Sequence, residues 1–384
     1  MPDPALVADA DRAAAAGDLA TAQALLKQAT AAAPTDVQLH LKLAAVSKAA
    51  GQPRVALAAV HQALTQAPLD FVALVLRASL LDALGESAAG EAWSNALAQR
   101  PPGDLPGPLA AAVAKGELVR DSWLAEREAR MERGMAAAEA QADSDQRWRM
   151  IRFRNNVLRK TQSYSSRPTH FDYPGLAQRE FHPRAKFPWL AALEAATDTI
   201  ADELGSVMQS ERAELVPYIQ YADHEPLDQW RDLNQNRDWT AIHLWRNGGR
   251  AEANSRHCPR TMALLDDFPQ PAIPGAGPNA MFSLLAPNTA IPAHVGVSNA
   301  RLVCHLPLIV PDGCWFRVGA ETREWRRGEA FVFDDTIEHE AMNPSGDLRV
   351  VFIFDVWHPD LSAVEREAVA ALIAAEAPAE GTEL

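Results

Sequence analysis

Four residues stand where a plain apolar core would not put them. His294, His305 and His339 lie among short apolar runs, and Arg349 opens the run VVFIFD. An imidazole or guanidinium inside such a region is costly unless something pairs with it. Taken singly, each histidine reads as a hydrogen-bonded core residue. Taken together, two imidazoles converging on an open metal position and an arginine able to fork a carboxylate describe a non-haem Fe(II) oxygenase with an α-keto acid cosubstrate. One element of that pattern is missing. A facial triad places Asp or Glu two residues after its first histidine, and here His294 and Val295 are followed by Gly296.

Positioning such groups takes a rigid sheet. Between Trp239 and Trp357 the chain breaks into DWTAIHLW, AMFSLLAP, ARLVCHLPLIV, CWFRVG, EAFVFDD and LRVVFIFDVW, separated by Gly, Pro, Asn and Asp. Short runs at this spacing predict a sandwich or barrel. Their near-continuous Val, Ile, Phe and Leu content predicts strands covered on both faces or closed into a roll, whose mouth suits a ligand. Ahead of them, Pro188 to Leu204 reads as one helix, with Leu190, Leu193, Ala196, Ile200 and Leu204 on one face.

The first hundred residues have another period. Gly17, Gly51 and Gly85 are spaced 34 apart, and so are Pro34 and Pro68, Ala24, Ala58 and Ala92, and Asp36, Asp70 and Asp104. That is the tetratricopeptide interval. Small alanines let paired helices approach, glycine turns the chain within a pair, and Pro-x-Asp ends one pair and caps the next. Leu26, Leu39, Leu43, Leu57, Leu74 and Leu81 supply much of the apolar face. Trp93 and the proline-rich exit at Pro101, Pro102, Pro106 and Pro108 mark the end of the array. Residues 109–163 read as a charged helical connector. Its basic cluster of Arg147, Arg149, Arg152, Arg154, Arg159 and Lys160 reads as a solvated helix face, with a nucleic-acid contact as the other reading.

Composition limits the function. The 384 residues, 48% hydrophobic and 22% charged, are those of an ordered protein of more than one domain. A net charge of −14 argues against a general nucleic-acid binder. Cys258, Cys304 and Cys314 have neither disulfide-framework nor zinc-site spacing, which favours a reducing cytoplasmic setting. No window has the length and apolarity of a membrane span, and no secretory signal opens the chain. The expectation is therefore a soluble protein with no nucleic-acid or membrane partner.

The segment HVGVSNARLVCHLPLIVPDGCWFRVGAETREWRRGEAFVFDDTIEHEAMNPSGDLRVVFIFDVWHPDLS closely resembles the aspartyl/asparaginyl β-hydroxylase family of 2-oxoglutarate oxygenases. The similarity runs from about Tyr164 through Glu367 and includes YPGL, FPWLAALE and NAMFSLLAPNTAIPAH. In that family glycine replaces the metal-binding carboxylate, so His-x-Gly is its expected form. The resemblance implies a double-stranded β-helix (jelly-roll) domain over residues 164–384 with flanking helices, behind a tetratricopeptide solenoid at 1–108. It further implies that His294 and His339 bind Fe(II), that Arg349 with Ser283 takes the distal carboxylate of 2-oxoglutarate, that His305 contacts the carboxylate nearer the metal, and that Trp239 borders the cosubstrate pocket. O2 is the second cosubstrate. Asp334 and Asp335 are candidates for orienting His339 or a metal-bound water, or else form the turn that closes the preceding strand.

One position departs from the animal members, which carry a basic residue two before the second conserved histidine. Val303 stands there, and Arg301, on the same strand face, is the remaining cation for a substrate. The expected activity is hydroxylation of an aspartyl, asparaginyl or similar side chain of a peptide or protein that the repeat domain would hold, with release of succinate and CO2. The alternatives are an oxygenase of a free amino acid or other small molecule, and a non-catalytic tetratricopeptide adaptor.

Overall fold

The computed structural model describes residues 4–210, 215–220, 231 and 234–376. The chain divides into two compact units, residues 1–158 and 159–384.

The first unit is helical: α1 (Pro4–Ala15), α2 (Leu19–Ala32), α3 (Val37–Ala49), α4 (Pro53–Gln66), α5 (Phe71–Ala83), α6 (Ala89–Leu97), α7 (Gly107–Glu139) and α8 (Ser144–Val157). The first six form three hairpins at the 34-residue interval. Each hairpin turns on a glycine with positive φ, +81° at Gly17, +70° at Gly51 and +68° at Gly85, a conformation in which a Cβ would be strained. Asp36 and Asp70 cap α3 and α5 by accepting from the backbone N–H of Leu39 and Ala73. Each cap is worth about 1 kcal/mol. Asp104 breaks this series, because α7 begins at Gly107 behind Pro106 and no side chain caps it. Buried alanines such as Ala22, Ala56, Ala63 and Ala73 let the helices close on one another.

The proline-rich exit leads directly into a further packed helix. Trp93 of α6 lies over Gly116 of α7, where an added Cβ would sit 2.2 Å from the indole. Trp123 of α7 lies over Gly90 of α6, where it would sit 2.1 Å away. This reciprocal fit covers the apolar face of the last hairpin, so α7 acts as the end cap that a repeat array requires. No residue of α8 is buried, and its Arg154 pairs with Glu132 of α7. Among the described residues no helix is long and apolar enough to cross a membrane.

The second unit is built on two antiparallel sheets. Its strands are β1 (Val216–Pro217), β2 (Trp239–Arg246), β3 (Gly249–Arg250), β4 (Ala280–Leu285), β5 (Thr289–His294), β6 (Arg301–Ile309), β7 (Trp315–Val318), β8 (Glu321–Glu324), β9 (Phe331–Phe333), β10 (His339–Asn343) and β11 (Arg349–Trp357). The larger sheet runs β1-β2-β4-β11-β6-β9, with β3 on β2, and the smaller runs β5-β10-β7-β8. Helices α9 (Leu190–Ala195), α10 (Thr197–Met208), α11 (Glu252–Ser255), α12 (Pro259–Asp266) and α13 (Ala363–Glu376) complete it.

Alternation sets the two faces of the larger sheet. Ile242, Leu244, Phe282, Leu284, Phe352 and Phe354 point to one side, where Leu190, Leu193, Ile200 and Leu204 of the helices cover them. Leu285, Val303, Val351 and Ile353 point to the other, against Ile291, Phe316, Val318 and Ala341 of the smaller sheet. All nine residues of β11 are buried, which accounts for its unbroken apolar sequence.

Two expectations need correcting. The helix expected over Pro188–Leu204 is two, α9 and α10, separated by a turn at Ala196, where the Thr197 hydroxyl bonds back to the Glu194 carbonyl. The strands β5, β8 and β10 were not among the apolar runs. They are TAIPAH, ETRE and HEAMN, strands of the smaller sheet whose polar residues hide the pattern.

Candidate active site

The smaller sheet brings two histidines side by side. His294 ends β5, His339 begins β10, and the two are register partners across the ladder. Their ring centroids are 4.0 Å apart with the planes tilted by 56°. Each ring is oriented by a backbone carbonyl two residues upstream: His294 Nδ1 donates to Pro292 at 2.7 Å and His339 Nδ1 to Ile337 at 3.1 Å. These bonds fix the tautomer and assign the lone pair of each ring to Nε2. Burial, and then the neighbouring His339, hold His294 well below its usual pKa, and burial lowers His339 to about 4. Both rings are neutral at pH 7, the state in which imidazole ligates a metal.

Gly296 explains why no third ligand follows them. A Cβ on Gly296 would sit 2.2 Å from Asp335 Oδ2, so a side chain at that position collides with a carboxylate already there. The Gly296 N–H donates to the Asp335 carbonyl at 2.7 Å, which pins the two segments together. Among the described residues no group of three or more His, Cys, Asp or Glu is arranged to hold a metal. Among the described residues the side chains placed to ligate an ion here are the two imidazoles.

The sheet face beside them gathers buried donors. Arg349 is 2% exposed and starts β11, opposite Leu285. Burial lowers its pKa to about 10, so it keeps its charge at neutral pH. Its Nη2 has no hydrogen-bond partner among the described residues, and its guanidinium lies 5.4 Å from the Trp325 ring. Trp325 stacks on His305 with centroids 5.5 Å apart, and both Trp325 Nε1 and His305 Nδ1 are likewise buried without a partner. Burial and the Arg349 charge keep His305 well below its usual pKa. A buried cation surrounded by unmet donors has the polarity of an anion receptor, since each unmet group otherwise costs about 1–3 kcal/mol.

Ser283 and Trp239 lie on the same face. Trp239 stacks on Tyr218 at 3.8 Å and donates from Nε1 to Ser283 Oγ at 3.0 Å. The serine oxygen accepts this bond, so the hydroxyl proton remains to be donated. Ser283 pairs with Val351 and Leu285 with Arg349, which sets Ser283 one row from the arginine on a shared face.

At the other end of β6, Arg301 Nη2 lies 3.3 Å from Asp335 Oδ2. Burial works against its charge, but Asp335 and Asp355 outweigh that and raise its pKa. Asp334 forms the turn that closes β9, accepting from the Thr336 N–H and hydroxyl. Burial raises its pKa to about 7. The two adjacent aspartates therefore part company: Asp334 faces its own turn and Asp335 faces Gly296 and Arg301. Sequence reasoning missed Trp325 and Asp355 altogether. For Asp355 a signal existed, a carboxylate inside an otherwise apolar strand. Trp325, in the turn after β8, offered none.

The sequence pattern described by "Aspartyl/Asparaginyl beta-hydroxylase" matches residues 194–359, which hold both histidines, Arg349 and every strand from β2 to β11. Over this segment the chain is similar to the aspartyl/asparaginyl beta-hydroxylase family. The human protein named aspartyl/asparaginyl beta-hydroxylase is 32% identical over 186 residues, 48% of this chain and 24% of that one. The human aspartate beta-hydroxylase domain-containing protein 2 is 38% identical over 135 residues, 34% of this chain and 37% of that one. The Rhizobium tropici ornithine lipid ester-linked acyl 2-hydroxylase is 34% identical over 192 residues, 49% of this chain and 63% of that one. The matched region is thus about a quarter of the length of the human hydroxylase. Among solved structures, the Sgt2 tetratricopeptide domain of Aspergillus fumigatus superposes with a TM-score of 0.29 at 21% identity, covering 33% of this chain and 85% of that one.

Proposed function

We propose that the β unit is a double-stranded β-helix (jelly-roll) domain that carries out Fe(II)- and 2-oxoglutarate-dependent hydroxylation of a peptide or protein side chain of the aspartyl/asparaginyl kind. The observation that carries this reading is the pair of neutral, carbonyl-anchored imidazoles beside a buried arginine with unmet donors. His294 and His339 would hold the ion through Nε2. Arg349, assisted by the Ser283 hydroxyl, would hold the far carboxylate of 2-oxoglutarate, and His305 would bond to the nearer one. When bound, the iron supplies oxygen activation: one oxygen atom of O2 enters the substrate as C–OH, the other enters succinate, and CO2 leaves.

The protein's own part is positional. The anchored tautomers keep both Nε2 lone pairs available without a rearrangement during turnover. Arg349 would make the cosubstrate enter in one orientation, because its buried charge has no ion-pair partner among the described residues. Trp239, held by Tyr218 and bonded to Ser283, fixes the serine rotamer and walls off water. The three buried unpaired cysteines support a reducing compartment, which we take to be the cytoplasm. We further propose that the helical repeats hold the polypeptide substrate or a protein partner.

The test is succinate formation by the full-length chain. Wild-type protein is expected to convert 2-oxoglutarate to succinate only when Fe(II) is supplied, and His339→Ala to lose that conversion by about 100-fold or more, beyond the effect of disturbing a ligand's supporting shell. Equal turnover in the two proteins would defeat the assignment.

A further inference from the structure

Trp325 is out of place in its own stretch of chain. Its neighbours Thr322, Arg323, Glu324, Arg326 and Arg327 are exposed, yet the tryptophan is buried, at 6% exposure. Phe316 and Phe331 wall its ring, with centroids at 5.2 Å and 5.3 Å, and its backbone N–H donates to the Cys314 carbonyl at 3.3 Å. Packing alone does not account for an indole at this place. A phenylalanine would fill apolar space without burying an N–H, whereas Trp325 Nε1 is buried with no hydrogen-bond partner among the described residues.

What an indole adds is the strongest π face for a cation. The Arg349 guanidinium lies 5.4 Å from the centre of that ring, within the range of this attraction. Arg349 is 2% exposed and has no ion-pair partner among the described residues, so the ring is placed to offset its charge. The kind of counter-charge matters. A carboxylate beside Arg349 would take, by forked hydrogen bonds, the same N–H groups that an incoming anion needs. A π face attracts the cation and takes none of them. The same ring stacks on His305, with centroids 5.5 Å apart and planes within 19°, which holds the plane of the imidazole. His305 pairs with Ile353, four residues along β11 from Arg349, so the two polar groups are not neighbours in the ladder. Trp325 touches both.

We propose that Trp325 is a positioning residue for the anionic cosubstrate: its ring offsets the Arg349 charge without occupying the guanidinium N–H groups, and it fixes the His305 imidazole on the same anion. The inference rests on the hydroxylase reading above, in which Arg349 and His305 receive the two carboxylates of 2-oxoglutarate, and adds the residue that sets one against the other.

The experiment measures 2-oxoglutarate binding to the full-length chain by calorimetry, with Fe(II) present and O2 excluded, and pairs it with melting curves. Trp325→Leu is expected to weaken binding about tenfold, the scale of one desolvated cation–π contact. Trp325→Phe, which keeps a weaker face and lacks the N–H, should recover most of that loss. A Leu variant that binds like wild type, or a Phe variant no better than Leu, overturns the inference. Melting tests the pair itself. Trp325→Leu should lower the transition by about 2–4 °C more in the wild-type background than in Arg349→Met, where no cation remains beside the ring. Equal shifts in the two backgrounds would mean that the ring acts by packing alone, and overturn the inference as well. Where the Leu variant does not fold, Trp325→Met takes its place in both measurements. Wild-type protein that binds no 2-oxoglutarate removes the hydroxylase reading and this inference with it, whereas wild-type binding alongside an unaffected Leu variant removes the inference alone.

Discussion

The helical unit and the β unit differ in whether their unmet buried polar groups gather at one place. In the helices the larger buried polar side chains close on near neighbours. Gln23 donates to Ser47 at 2.8 Å and to Gln52 at 3.0 Å, and His40 donates to the Pro34 carbonyl. In the β unit Arg349, His305 and Trp325 keep donors unmet inside the fold, and neutral His294 and His339 face one another across a ladder. The first arrangement closes these groups on the protein itself, although His40 Nδ1 and Trp93 Nε1 stay unmet, and it serves cohesion. The second is incomplete until something binds, and its cost is carried by the apolar layers on both sides of the larger sheet.

Breaking each side of that contrast should give separable results. The largest effect is expected from Arg349→Ala, which removes the cation that orders the anion end. The apparent KM for 2-oxoglutarate should rise about 30-fold or more, in line with about 2–5 kcal/mol for truncating one member of a buried charged hydrogen-bonded pair. Thermal stability should hold or improve, because a buried unpaired charge is gone. Steady-state kinetics with the cosubstrate varied, alongside a melting curve, decides it, and unchanged cosubstrate affinity would contradict the clamp.

Gly116→Val probes the other unit. The new side chain meets the Trp93 ring, and overpacking of this kind costs about 1–3 kcal/mol. A lowered melting transition with iron-dependent background turnover intact is the expected pairing. Loss of turnover at a temperature where the protein remains folded would show that the two units do not separate in this way.

The smallest effect concerns acid stability. His182 is buried with its ring against His358, centroids 5.1 Å apart, and burial followed by His358 lowers its pKa to about 3. A pKa depressed by folding contributes stability that is present above the unfolded value of about 6.5 and is lost as the pH falls toward 3. In the helical unit His61 shifts in the same direction while partly exposed to water. The β unit should therefore be the first to weaken on acidification. Replacing His182 with Phe should flatten the dependence of its melting temperature between pH 6.5 and pH 4; parallel curves for variant and wild type would rule the histidine out as the cause.

Legibility in the sequence followed the same divide. The 34-residue interval could be read from Gly17, Gly51 and Gly85 because a repeat is a local rule applied three times, and each glycine does the same work in its own turn. Strands β4, β6 and β11 could be read because a strand buried on both faces must be apolar at every position. The smaller sheet could not. Its β5 and β10 give some of their positions to polar groups and one proline, and their pairing is set by partners 45 to 54 residues away in the chain rather than by alternation. Asp335 was visible as a residue, but its task was not: nothing in the string FDDTIEHE says that its carboxylate fills the space beside Gly296.

By itself the sequence determined the helical repeat, the apolar strands, and which histidines, serine and arginine stand out as chemical groups, because periodicity and burial impose their residue types locally. Only the tertiary structure decided that His294 and His339 face one another, that Trp325 and His305 join Arg349 in leaving donors unmet, and that Arg301 is paired with Asp335. Those facts depend on strand register and on side chains meeting from distant segments, and Coulomb and hydrogen-bond energies turn on separations of a few ångströms that no residue spacing encodes.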